Sequence, residues 1–137
     1  MAKTELKGPV CAQIFFCDSA LHDTENKKLS LIGLFNTIYA HSIPYNHPRM
    51  HVIFNLSNFE DKPSIEVKIS DPDGKEIARL GGVVDINREI KGVNLNYGFL
   101  GLHIEKEGNH LVEVIVNGNV IAARELQVMD MSKKKAL

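Results

Sequence analysis

Three of the chain's six histidines fall in the eleven residues "HSIPYNHPRMH", 41 to 51, and no other stretch offers as many nitrogen ligands. Zinc needs three or four ligands meeting at about 2.0–2.3 Å, and His-x3-His on one helical face is the convenient local source. His47 and His51 have that spacing, but Pro48 follows His47 directly and drives it toward extended backbone. In an extended segment the two lie about 13 Å apart at Cα, too far to share an ion. The remaining metal arrangement is His41 with His47, folded across "SIPYNHP". Otherwise "IPYNHP" is a proline-stiffened connection between strands, with His51 already inside the second strand.

Two weaker constellations stand beside it. "DPDGKE", from 71, opens like a calcium loop with Asp71 and Asp73, but the fifth position is Lys75 and the twelfth is Gly82. It reads as a turn in which Pro72 presets φ and Gly74 supplies a left-handed residue. Cys17, Asp18, His22 and Asp23 could form a nucleophile, base and orienting carboxylate, yet Cys17 ends an apolar strand, where cysteine usually packs as a small hydrophobe. No Gly-x-Ser-x-Gly, paired-cysteine or phosphate-loop motif is present; Gly81-Gly82 has no lysine or helix after it. No cofactor is expected.

The elements that must hold these residues have period two. In "SIEVKIS" Ile65, Val67 and Ile69 face one way; Met50, Val52, Phe54 and Leu56 repeat the pattern, as do Val112, Val114 and Val116. "NGN" at 117 to 119 predicts a closing hairpin, since both turn positions favour positive φ. In "VNLNYGFLGLHI" the apolar parity changes from Val93, Leu95 and Tyr97 to Leu100, Leu102 and Ile104, which predicts a bulge at Gly98. About eight short strands and no sustained helical period indicate an all-β chain, an antiparallel β-sandwich. The closing "EGNHLVEVIVNG" resembles the last strand pair of immunoglobulin-like domains, with Gly108-Asn109-His110 where those carry Gly-x-Tyr.

"KLSLIGLFNTIYA", 28 to 40, is apolar on both faces: Leu29, Leu31 and Phe35 on one, Ile32, Leu34 and Ile38 on the other. Its two readings are a central strand covered by a loop and a subunit interface made by Ile32, Leu34 and Ile38.

At 137 residues the chain suits one domain, 1–130, followed by a flexible lysine-rich tail, 131–137. Sixteen Lys and Arg against seventeen Asp and Glu give a net charge of −1, which supplies no field for nucleic acid or an anionic membrane. Cys11 and Cys17 would sit roughly 20 Å apart on one extended strand and cannot pair, so free thiols point to a reducing, cytoplasmic setting. "VCAQIFFC" is too short and too interrupted for a signal or membrane segment.

The order "CD" at 17, "KLSLIGLFNTIYA", "IP" at 43, "DPDGKEI" and "EGNHLVEVIVNG" resembles a bacterial family of short single-domain proteins known only as a domain of unknown function. The resemblance implies a bacterial cytoplasmic β-sandwich and carries no catalytic residue. Function therefore divides between a noncatalytic binding or assembly module that meets a protein partner or a second copy of itself, a small metal-dependent protein using His41 and His47, and a purely structural subunit.

Overall fold

The computed structural model of the protein describes residues 8–133. Among the described residues nine strands form: β1 (Val10–His22), β2 (Leu29–Phe35), β3 (Thr37–Ala40), β4 (Tyr45–Ser57), β5 (Ser64–Ser70), β6 (Glu76–Val83), β7 (Gly92–Ile104), β8 (Gly108–Val116) and β9 (Asn119–Asp130). They pack as two sheets, β2-β1-β4-β7 and β3-β9-β8-β5-β6. The predicted all-β sandwich is the observed architecture. One pair departs from the antiparallel rule: β3 runs parallel to β9.

The alternating strands build the core as their period requires. Met50, Val52, Phe54 and Leu56 of β4 face Ile65, Val67 and Ile69 of β5 and Val112, Val114 and Val116 of β8, all buried in one cluster. Burying one such aliphatic side chain is worth about 1.5–3 kcal/mol. Phe54 stacks on Tyr97 at 5.7 Å, and Arg124 of β9 closes one flank, its guanidinium bonded to the Ile14 carbonyl and Asn36 and lying 5.2 Å over the Phe16 ring. With β1 as A, β4 as B and β7 as E in one sheet, and β5, β8 and β9 as C, F and G in the other, the order is that of an immunoglobulin-like sandwich, β6 adding a C′ strand.

The segment 28–40 is not one covered central strand. It bends at Asn36 and changes sheets: β2 is an edge of the first sheet and β3 an edge of the second. The change of sheet accounts for Ile38, while within β2 Leu29, Leu31 and Phe35 are partly buried and Ile32 and Leu34 are exposed. Ile38 is accordingly 3% exposed in the core, apart from Ile32 and Leu34, which stay 50% and 58% exposed.

The parity change in β7 is real but lies later than Gly98. Phe99 is still buried, Leu100 is 77% exposed, and Leu102 and Ile104 are buried again, with Gly101 at φ +67 between them. There is no bulge, because β4 turns over at the same level and the register stays constant from Tyr45–Ile104 to Ser57–Gly92, with the ladder interrupted only at Pro48 opposite Gly101. Gly98 serves the His51 ring, which lies so close that a Cβ there would stand 3.2 Å from it. The expected lysine-rich tail, 131–137, is described only at its start. Met131–Lys133 form a 3-10 turn held by Ser132 on Asp130, and residues 134–137 lie outside the described part.

Candidate functional site

The structure disperses the histidine string. His41 is exposed in the short connection 41–44, which contains the cis Ile43–Pro44 peptide. His47 is not in that connection: β4 starts at Tyr45, so His47 pairs in register with Leu102. Pro48 is tolerated within β4 because β1 pairs only from His51 onward, leaving that end of β4 open on the side away from β7. The His47 ring meets Phe35 edge-on at 5.9 Å and its Nδ1 lies 3.4 Å from the Tyr45 hydroxyl. Burial pushes its imidazole below the usual value, against the pull of Asp18 and the Arg49 backbone. His51 sits on the solvent side of the sheet, where Nδ1 donates to Asn96 Oδ1 at 2.8 Å. Among the described residues no three His, Cys, Asp or Glu side chains gather closely enough to hold an ion.

The Asp71 turn uses its carboxylate on its own backbone. Asp71 Oδ1 accepts the N–H groups of Asp73 and Lys75 at 2.9 and 3.0 Å, and Lys106 ties Asp71 and Asp73 from the next loop. Burial works to raise the Asp71 carboxyl, but those N–H groups, with Lys106 and His110, hold it below its ordinary value. Beside it His110, 1% exposed, donates Nδ1–H to the Gly108 carbonyl at 3.2 Å. This bond, back to the backbone two residues upstream, is how the imidazole stands in for the phenol of a tyrosine corner. His103 is held by Asn46 and Glu105.

The Cys17 cluster comes apart as well. Cys17 is buried, and burial together with the Asp18 charge pushes its thiol up, away from a reactive thiolate. His22 lies five residues along β1, roughly 17 Å away, and Asp23 caps the turn through the N–H groups of Glu25 and Asn26.

What remains unabsorbed is apolar. Ile32 and Leu34 are exposed on β2, and Leu21 is 57% exposed near the end of adjacent β1. No residue of β2 is charged. On the outer face of the same sheet, Phe15, Ile53, Leu29 and Leu31 line a hollow of about 200 Å³ bordered by the amides of Gln13, Asn55 and Asn94.

Comparison with known proteins decides the family. Residues 12–129 match the family of unknown function DUF6941. The chain is a DUF6941 protein. No curated protein sequence matches it. Among solved structures, an immunoglobulin-like protein from Pseudomonas aeruginosa superposes with a TM-score of 0.47 at 14% identity, over 90% of this chain and 98% of its own. The alkylpurine DNA glycosylase AlkC of Pseudomonas fluorescens, bound to DNA containing an abasic site analog, gives 0.49 at 13%, over 88% of this chain and 30% of that one. A β-glucosidase from Listeria innocua in complex with glucose gives 0.43 at 14%, over 68% and 14%. The DUF6941 chain thus spans under a third of the length of the glycosylase.

In this DUF6941 sandwich the amide-rimmed hollow is the feature that sequence reasoning missed. Its signal was the alternation of Asn94 and Asn96 in β7, which set both amides on the solvent side. Without the β4–β7 register, nothing in the sequence put Asn94 opposite Asn55 or brought Phe15 over Ile53.

Proposed function

We propose that this DUF6941 protein is a noncatalytic module that associates with a second copy of itself through the β2 edge. The observation that carries the reading is a strand left at the sheet edge among the described residues, with no charge and with Ile32 and Leu34 half or more exposed. Natural edges are usually blunted by charge, proline or brevity, because an open apolar edge is a template for another chain. The other edges support the choice of β2. β3 is four residues long, and β6 carries Glu76 and Arg79 and has two glycines of positive φ, Gly81 and Gly82, before its last residue, Val83. β7 is also uncharged from Gly92 to Leu102, but β6 runs beside it, and the two line a common groove.

The noncatalytic part rests on how the reactive side chains are used. His51, His103 and His110 each commit a ring nitrogen to a neighbouring group, and the Cys17 thiol is pushed away from ionisation. The free thiols of Cys11 and Cys17 suit a reducing compartment. The solution mass of the full chain tests the proposal. An oligomer that Leu34→Lys returns to 15.3 kDa supports it, and a chain that stays at 15.3 kDa at every concentration overturns it.

A further inference from the structure

We infer that the hollow on the outer face of the first sheet binds an uncharged extended peptide, taking one large apolar side chain as its anchor. The hollow's apolar lining is Phe15 of β1, Leu29 and Leu31 of β2, and Ile53 and Phe54 of β4. None of its lining residues is charged, so a charged ligand group would lose its hydration there without a partner. Its volume of about 200 Å³ falls below the roughly 300 Å³ at which drug-sized pockets begin, and suits one side chain.

The rim selects the backbone that carries this side chain. Asn55 Nδ2 donates to Asn94 Oδ1 at 3.0 Å, so Asn55 keeps Oδ1 as an acceptor and Asn94 keeps Nδ2 as a donor. Turning both amides over exchanges the two roles and leaves the same pair. One acceptor beside one donor is the complement of a peptide's N–H and C=O. Gln13, whose side-chain amide has no partner among the described residues, offers a second such pair across the hollow. An apolar anchor in a desolvated pocket with polar groups around it is the pattern of a binding hot spot. Its lining comes from β1, β2, β4 and β7, and Leu29 and Leu31 lie on the proposed association strand, so the peptide is also read on the Leu34→Lys variant that should abolish self-association.

The test is titration of the full chain, and of its Leu34→Lys variant, with acetyl-Ala-Leu-Ala-amide, read by NMR at the side-chain amides of Gln13, Asn55 and Asn94 and the Ile53 methyls. Saturable shifts confined to these groups are expected in both proteins. Acetyl-Ala-Ala-Ala-amide should bind at least about tenfold more weakly for want of the anchor, and Asn94→Ala should weaken the leucine peptide about fivefold through one lost hydrogen bond. No shift at the solubility limit, equal binding of the alanine peptide, or equal shifts with glucose would each overturn the inference. Because the peptide is also read on Leu34→Lys, loss of self-association leaves this result standing.

Discussion

Asp18 of β1 fills the space that a side chain on Gly33 of β2 would need: a Cβ at Gly33 would lie 2.5 Å from Asp18 Oδ2. The two sit between the register pairs Cys17–Leu34 and Ser19–Ile32, and Gly33 has φ +73. Gly33→Ala therefore carries two costs, the left-handed backbone, roughly 1–2 kcal/mol, and the clash with the carboxylate. Adding Asp18→Ala should recover most of the second cost, the Asp18 Cβ at 3.1 Å staying close, and leave the first. Urea unfolding of Gly33→Ala, Asp18→Ala and the double variant checks this, and a double variant no more stable than Gly33→Ala contradicts it.

His110 makes the fold acid-sensitive. Burial pushes its imidazole below the ordinary value of 6.5, while the Gly108 carbonyl and Asp71 only partly oppose this. The unfolded chain therefore takes up a proton at higher pH than the native one, so stability is fully present above about pH 6.5 and falls as pH drops toward the folded value. His47 shifts in the same direction. Asp71, held low, adds a further loss in the carboxylate range. The urea midpoint should fall between pH 7.5 and pH 5, both pH values being about one to two units from the ordinary imidazole value. Replacing His110 with Phe should flatten part of that slope; a midpoint that does not move in the wild type contradicts the assignment.

Phe16 and Leu34 should separate the core from the edge. Phe16 is fully buried, 6.3 Å from the Phe35 ring and under the Arg124 guanidinium. Phe16→Ala should cost about 3–5 kcal/mol. Leu34→Ala, measured on dilute chain, should stay within about 0.5 kcal/mol of wild type. Denaturant unfolding at low protein concentration reads both, and a large loss at Leu34 would mean that it packs within the folded chain.

The strands that were legible in the sequence are those with one face in the core. Ile65, Val67 and Ile69, or Val112, Val114 and Val116, alternate because only one face is buried, and Asn117-Gly118 fixed the last hairpin through its positive φ values. Parity alone could not show where the chain changes layers. At Asn36 both halves keep an alternating pattern, so Ile38 looked like a neighbour of Ile32 and Leu34, although it belongs to the other sheet. The proline after His47 likewise argues against a central strand and points to a connection. It does not argue against a strand end that lacks β1 on one side. The amide rim stayed hidden for a related reason: Asn55 and Asn94 are 39 residues apart and meet only through register.

The most direct measurement is site-specific cross-linking between copies. Ile32→Cys puts a thiol on the proposed edge, and Leu100→Cys puts one on β7 at a position that is more exposed, with wild type reporting the background from Cys11 and Cys17. Under mild oxidation the account predicts a disulfide-linked dimer at position 32 well above wild type, and none at position 100. Equal yields at the two positions, or no dimer at position 32, would contradict association through β2.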